Sequence, residues 1–214
     1  MEITIRDAVA ADAPFLAWVM ITAARSHRSL SFWDYAFPGA EAPRLDYIAA
    51  MALAEPISFA HYSGFLVAEH EGRPVGGLSG YDSAIKGLDR FVMALTGLVL
   101  RREWSADHIQ LLSVRTAPVN TCMPDSPPGV WIVEWVATTP EARGRGVANA
   151  LLRQILQRGR DAGYSRSQIS YLIGNTPAQA AYERIGFETV EERRHPDFEA
   201  AFGAPGIARM VREL

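Results

Sequence analysis

Apolar and polar positions recur at regular spacing through most of the chain, and this spacing predicts a mixture of strands and helices. Residues 3–8 alternate as in a short strand, and residues 11–25 carry apolar positions at helical spacing. A second helix is predicted over 43–55. Residues 64–83 predict a hairpin, because an apolar strand ends at a Glu-Gly-Arg-Pro turn and a glycine-rich strand returns.

The C-terminal half carries stronger patterns. Residues 130–138 (VWIVEWVAT) are almost all β-branched or aromatic, which predicts a strand buried on both faces. Apolar positions from Val147 to Leu156 form one stripe, which indicates a helix. The pattern then predicts a strand, a short helix capped by Thr176 and two closing strands, at 167–174, 176–186, 187–194 and 207–214.

The pattern is weakest between residues 84 and 128. This stretch has apolar helical character at first and becomes turn-prone over 117–129 (APVNTCMPDSPPG). The chain has no repeat, low-complexity tract or linker. We therefore expect one α+β domain with a mixed sheet over residues 1–214, in which 84–129 is an insertion or a substrate-side segment.

Composition narrows the range of functions. The chain has 214 residues, 49% of them hydrophobic, and a net charge of −3, which argues against a general nucleic-acid binder. Cys122 is the only cysteine and the five histidines are scattered, so we expect no disulfide and no metal site. The N-terminus lacks an apolar signal core, and the longest apolar run, Phe91–Leu100, is too short to span a bilayer. We expect a cytoplasmic globular protein without membrane or nucleic-acid partners.

Residues 139–152 (TPEARGRGVANALL) place two glycines between a buried strand and the start of a helix. The first amides of a helix lack intrahelical partners and lie at the positive end of its dipole, so this geometry favours an anion. Gly144 and Gly146 would let a phosphate approach the backbone, and Arg143 or Arg145 could add a charge-assisted hydrogen bond. From this fragment alone, the alternative to an anion site is a helix start that the glycines only make flexible.

Two familiar phosphate motifs do not fit this turn. A P-loop requires Lys followed by Ser or Thr after its last glycine, whereas Val147 and Ala148 follow Gly146. A dinucleotide fingerprint requires a third glycine where this chain has Asn149, and no acidic residue follows at the right distance.

A second motif lies about thirty residues further on. The segment Gly174–Phe187 (GNTPAQAAYERIGF) contains Asn175 at the end of a strand, and Ala178 and Tyr182 on one face of the next helix. Taken alone, Tyr182 would be interpreted as a core tyrosine with its hydroxyl at the surface.

Together the two motifs, Arg143-Gly-Arg-Gly146 and Asn175-x-x-Ala178-x-x-x-Tyr182-x-x-x-Gly186-Phe187, closely resemble the GNAT superfamily of N-acetyltransferases, which bind acetyl-CoA. The resemblance covers residues 130–187, which would form the CoA-binding core. It implies a mixed, mostly antiparallel central sheet flanked by helices. It also implies acetyl-CoA as the cosubstrate, with no metal.

The resemblance also assigns roles to individual residues. It implies that the CoA pyrophosphate rests on the amides of the turn and helix start, with arginine side chains beside it, at Arg143, Gly144, Arg145, Gly146, Val147, Ala148 and Asn149. The pantetheine arm would run beside Val136, Ala137 and Thr138, where the Val136 amide would polarise the acetyl carbonyl. Asn175 would reach the arm, and the Tyr182 hydroxyl would protonate the departing thiolate.

The two motifs do not themselves identify the general base. Glu134 shares a strand face with Val136 if the strand alternates regularly, and a carboxylate among apolar neighbours should have a raised pKa. An ion pair with a neighbouring arginine is the alternative. Some relatives carry a carboxylate on the next strand, where this chain has Ser170, so a water relay also remains open.

The acceptor is not identified by the sequence. Trp33, Asp34 and Tyr35 lie where relatives often place acceptor-binding loops, although packing onto the core explains them equally well. We expect a small-molecule or peptide amine that attacks directly in a ternary complex, since Cys122 lies outside both motifs. The alternatives are a non-catalytic acyl-CoA-binding or regulatory domain and, with little support, a nucleic-acid binder. A monomer or a homodimer is expected.

Overall fold

The computed structural model describes residues 2–214, and its strands form one seven-stranded sheet within that range. The strands are β1 (Thr4–Asp7), β2 (Phe65–His70), β3 (Arg73–Asp82), β4 (Trp131–Thr138), β5 (Arg166–Leu172), β6 (Glu188–Arg194) and β7 (Gly206–Glu213). They are arranged in the order β1-β2-β3-β4-β5-β7-β6, and every neighbouring pair except β4 and β5 is antiparallel. The expectation of a mixed, mostly antiparallel sheet is confirmed.

Helices flank this sheet in the described part of the chain. They are α1 (Ala13–Arg25), α2 (Phe32–Ala36), α3 (Glu41–Met51), α4 (Ser83–Lys86), α5 (Leu88–Arg101), α6 (Ala106–Asn120), α7 (Val147–Asp161), α8 (Thr176–Glu183) and α9 (Pro196–Phe202). No helix within residues 2–214 has both the length and the apolar character needed to cross a membrane.

Side-chain alternation along β2 divides the core into two layers. Phe65 and Val67 belong to the cluster packed under α1, α2, α3 and α5, whereas Leu66 and Ala68 belong to the cluster packed under α7 and α8. Successive strand residues point to opposite faces, so the sheet is covered on both sides. The α7 cluster also reaches β5 and β7 through Ile169 and Met210, and therefore spans the sheet from β2 to β7.

Two segments differ from the sequence-based prediction. The turn-prone tract over 117–129 begins inside α6, because Pro118 lies in the last turn of that helix. Helix α9 is absent from the prediction. Its signals are local ones that a strand-oriented interpretation overlooks: the His195 side chain caps the helix, Pro196 begins it, and Gly203 ends it in the left-handed conformation.

Helix α2, which carries the aromatic residues Trp33 and Tyr35, is held by a buried carboxylate. Asp34 forms ion pairs with Arg25 at 2.7 Å and Arg44 at 3.0 Å, and accepts hydrogen bonds from the backbone and side chain of Ser31. Burial opposes ionisation, but these partners hold the pKa of Asp34 below its ordinary value. Asp34 thus has structural partners, which favours packing over acceptor binding for this residue.

Replacement of Asp34 tests this structural role. Asp34→Ala leaves Arg44 buried without its carboxylate, so the free energy of unfolding should fall by about 3–5 kcal/mol. Urea unfolding followed by circular dichroism measures the change. Asp46→Ala is the control, because Asp46 is an exposed aspartate on α3, the helix that carries Arg44, and makes no ion pair within residues 2–214. Equal stability of the two variants would contradict this interpretation.

Candidate active site

A gap opens in the middle of the sheet where β4 and β5 separate. The two parallel strands pair only at Trp131–Val133 and Ser167–Ile169. Beyond these three pairs, β4 remains paired with β3 and β5 remains paired with β7. The facing edges of β4 and β5 therefore line a cavity of about 800 Å³.

A β-bulge in β4 lies at the point of separation. Trp135 has a φ of 59°, and the register changes so that Ser79 pairs with Glu134 while Gly77 pairs with Ala137. A bulge interrupts the alternation of a strand. The expectation of regular alternation is therefore wrong beyond Val133. Burial on both faces is wrong where the strand residues are only half-buried, although Ala137 is buried. The half-buried Glu134, Trp135 and Val136 instead all line the cavity.

Glu134 lies in the cavity wall beside the buried Tyr81. Burial raises the pKa of Glu134 to about 7, although the interaction with the Tyr81 hydroxyl acts in the opposite direction. Burial, together with the Glu134 charge, also raises the pKa of Tyr81, which therefore stays a hydrogen-bond donor. Glu134 forms no ion pair with any described residue, so the structure does not contain the arginine pair that the sequence left open as an alternative.

Tyr182 reaches the same cavity from α8. Its ring is buried and packs edge-on against Tyr171 and Phe187, with centroid distances of 6.5 Å and 6.4 Å. Burial raises the pKa of Tyr182 above its ordinary value, so the hydroxyl is protonated at neutral pH. The cavity thus contains one carboxylate with a pKa near neutrality and one protonated phenol.

Asn175 ties the beginning of α8 to the end of α1. Its side-chain oxygen accepts a hydrogen bond from the Ala178 amide, which makes Asn175 the N-cap instead of the predicted Thr176. Its side-chain nitrogen donates to Ser26 Oγ at 2.5 Å. Asn175 lines the cavity, and its contact with a cofactor stays a prediction.

A second, smaller cavity of about 220 Å³ lies at the start of α7. Gly146 is the N-cap in the left-handed conformation and supplies no capping side chain. The first amide of the helix to bond within it is that of Ala150, which donates to Gly146. Among residues 2–214, the amides of Val147, Ala148 and Asn149 have no backbone acceptor, so they are available to an anion.

The two glycines keep this small cavity open. Gly144 and Gly146 have φ values of 72° and 83°, and a Cβ at either position would meet no atom within 4 Å. The positive φ favours glycine, and the empty space above each residue is where an anion would lie. The cavity is lined by Thr138, Ala142, Arg143, Gly144, Gly146, Val147, Ala148, Asn149, Ala181 and Arg184.

The arginines around the small cavity are not equivalent. Arg143 borders both cavities, whereas the exposed Arg145 borders neither. Arg184 also lines the small cavity, although the sequence motifs do not single it out. The sequence signal that could have identified Arg184 is its position three residues after Ala181, which puts the two residues on one side of α8 and its last turn.

Fold and site together define a class of protein in which a helix start with free amides adjoins a gap between two parallel strands. A family model described as "Acetyltransferase (GNAT) family" matches residues 28–187. The chain belongs to this family and is an acetyltransferase. No curated protein sequence matches it significantly.

Solved structures support the same fold over nearly the whole chain. An N-acetyltransferase from Staphylococcus aureus Mu50 is 16% identical, with a TM-score of 0.68 over 98% of this chain and 100% of that chain. The polyamine N-acetyltransferase of Drosophila melanogaster is 19% identical, with a TM-score of 0.58 over 100% of both chains. The protein yncA of Salmonella typhimurium, solved with its cofactor acetyl-CoA, is 16% identical, with a TM-score of 0.54 over 100% of this chain and 95% of that chain.

A methyl group in the small cavity should weaken anion binding. Gly146→Ala adds a Cβ to a residue that lines this cavity and strains the positive-φ backbone just before the free amides, so the Kd for coenzyme A should rise about tenfold or more. Titration calorimetry measures this change. Gly163→Ala is the matched control, since Gly163 also has a positive φ of 90° and open space around it but lies beyond the other end of α7. Equal effects of the two substitutions on binding would refute the assignment.

Proposed function

We propose that this protein transfers the acetyl group of acetyl-CoA to a primary amine by direct attack in a ternary complex. The observation that carries the proposal is one cavity, open between β4 and β5, that is lined by Glu134 and Tyr182 and adjoins the free amides at the start of α7. Membership of the acetyltransferase family supports acetyl-CoA as the donor.

The small cavity suits the pyrophosphate of CoA. The amides of Val147, Ala148 and Asn149 would donate hydrogen bonds to the anion, and the space above Gly144 and Gly146 leaves room for it. Positive charge at its border comes from two side chains, Arg143 and Arg184, whereas Arg145 would act only as a flanking charge.

The gap between the strands suits the pantetheine arm. Beyond Val133, β4 has a free edge toward β5, and an extended amide-containing chain can pair with such an edge as an added strand. Val136, Ala137 and Thr138 line this edge. The second side-chain N–H of Asn175 is available to the same arm.

The bulge supports a role for the Val136 amide. Trp135 and Val136 have no partner in the β3 register, and β5 no longer pairs with β4 at this level. An amide held rigidly in a bulge can donate to the acetyl oxygen as negative charge develops there, which lowers the barrier.

Glu134 is proposed as the general base. An alkylamine is protonated at neutral pH and must lose a proton before or during attack. A carboxylate with a pKa of about 7 is partly ionised at that pH and is a stronger base than an ordinary glutamate. The proton would move directly or through a water.

Tyr182 is proposed as the general acid. Its hydroxyl stays protonated at neutral pH and lies in the same cavity, so it can donate a proton to the departing thiolate. Cys122 does not line the cavity and is packed in a separate cluster with Phe198 and Phe202. This arrangement supports direct transfer without a covalent acyl-enzyme.

Removal of the Tyr182 hydroxyl tests the acid. Tyr182→Phe should lower kcat about 100-fold or more while the Kd for acetyl-CoA changes little, because the ring remains in place. Release of CoA and calorimetry measure the two quantities. Tyr171→Phe is the control, since this second buried tyrosine packs against Tyr182. A chain that only binds acyl-CoA would have no turnover to lose.

The pH profile tests the base. In the wild type kcat/KM should rise as the pH increases through about 7, because Glu134 must be deprotonated to accept a proton. Glu134→Gln should lower kcat/KM about 100-fold or more and abolish that rise. Tyr81→Phe removes the hydroxyl that lowers the pKa of Glu134, so the rise should move to higher pH. A profile unchanged in both variants would exclude Glu134 as the base.

A further inference from the structure

The larger cavity continues past Glu134 into a space that the donor would leave free. We call this space the acceptor chamber and define it by Phe32, Phe59, Trp135 and the facing sides of α5 and α6. None of these residues lines the small cavity at the start of α7. Its assignment to the acceptor rests on the proposed function, because an amine that reaches Glu134 must have the rest of its body in this chamber.

The chamber wall from α5 and α6 is mostly apolar and carries no charge, with neutral polar side chains at Thr96, Ser113, Thr116 and Asn120. On α5, apolar side chains line the chamber at the helical spacing of Leu88, Val92, Leu95 and Val99. Ile109, Leu112 and Val119 line it from α6. The segment over 84–129, where the sequence pattern is weakest, thus forms one wall of the space that would hold the acceptor.

Stacked aromatic rings form the wall next to Glu134. Phe59 stacks on Phe91 with a centroid distance of 4.7 Å, and Trp135 lies 6.1 Å from Phe59. The backbone carbonyl of Phe59 accepts a hydrogen bond from Ser79 Oγ, and Ser79 is the strand partner of Glu134. The aromatic wall and the carboxylate are therefore held in fixed relation to each other.

Charge is almost absent from this cavity. Among the described residues that line it, Glu134 and Arg143 are the only charged ones. Arg143 belongs to the anion-binding end, so Glu134 is the single charge that an acceptor meets. One ammonium group has a partner there, and a second ammonium or a carboxylate on the acceptor would be desolvated without one.

We propose that the acceptor is an arylalkylamine, a monoamine whose single amino group is attached to an apolar body of aromatic size. Its amino group lies at Glu134 and its body packs against the Phe59–Phe91–Trp135 wall. Diamines and guanidinium amines are disfavoured, although neighbours with this fold include proteins named for agmatine and polyamines. Those proteins are under 20% identical to this chain, and their likeness extends to the fold alone.

A matched amine series tests the proposal. With acetyl-CoA as donor, kcat/KM is measured for 2-phenylethylamine, ethylamine and agmatine by CoA release. Each buried methylene group is worth about fourfold, so 2-phenylethylamine should exceed ethylamine by more than about tenfold. It should also exceed agmatine by about tenfold or more, because the guanidinium would lie against the chamber wall without a carboxylate partner. Equal or higher kcat/KM for ethylamine or agmatine would overturn the proposal.

A charge placed in the chamber gives an independent test. Val92 lines the chamber from an exposed position on α5, so Val92→Asp should be tolerated by the fold. It should lower kcat/KM for 2-phenylethylamine about tenfold and raise the ratio of agmatine to 2-phenylethylamine. Met93→Asp is the control, because Met93 is the next residue on the helix, is exposed and does not line the chamber. Identical kcat/KM values for 2-phenylethylamine and agmatine in the two variants would overturn the proposal.

Two further measurements separate this proposal from the function on which it rests. Calorimetry with acetyl-CoA alone tests the donor site, and calorimetry with 2-phenylethylamine in the presence of CoA tests the chamber. If acetyl-CoA does not bind, the proposed function fails whatever the amine does. If acetyl-CoA binds and 2-phenylethylamine neither binds nor reacts, the chamber assignment alone fails. A higher kcat/KM for octanoyl-CoA than for acetyl-CoA, with no dependence on the amine, would show that the chamber holds an acyl chain. This result would also overturn the assignment of the chamber to the acceptor.

Discussion

The separation of β4 from β5 after three residue pairs is the feature on which the rest of the site depends. Backbone N–H and C=O groups inside a sheet are normally paired, and beyond Val133 the edge of β4 instead faces a cavity. The two parts of the sheet keep their shape because β4 is held by β3 and β5 by β7. The apolar cluster under α7 spans both parts, so the gap is a rigid opening instead of a failure of pairing.

One physical property of the cavity, its low polarity, affects both ends of the proposed reaction. The apolar walls raise the pKa of Glu134 toward neutrality, and burial keeps the Tyr182 phenol protonated. The same walls make the binding of additional charges costly, which would restrict the proposed acceptor to one amino group. Base strength and acceptor selectivity therefore have a common origin, and a polar substitution in the chamber would change both.

The sequence predicts those parts of the fold and site that depend on local signals. The helix start at Gly146, the strand at Val130–Thr138 and the helix bearing Tyr182 follow from glycine placement and periodicity, and the structure contains all three. The bulge at Trp135 could not be predicted, because it arises from the register with β3 and leaves the apolar pattern unchanged. Likewise the role of α5 and α6 as a chamber wall depends on contacts between residues far apart in the chain, which periodicity does not report.

Asp34 and Glu134 show why the sequence alone cannot decide whether a carboxylate has a structural or a catalytic role. Both lie next to tryptophans in apolar stretches, and Asp34 is buried while Glu134 is half-buried. Asp34 interacts with Arg25, Arg44 and Ser31, and these partners overcome the cost of burial and lower its pKa. Glu134 interacts only with a tyrosine hydroxyl, and burial raises its pKa to about 7. Burial therefore does not by itself mark a catalytic carboxylate. The distinguishing property of Glu134 is burial without a cationic partner at the wall of a cavity, because such a group retains the capacity to exchange a proton at neutral pH.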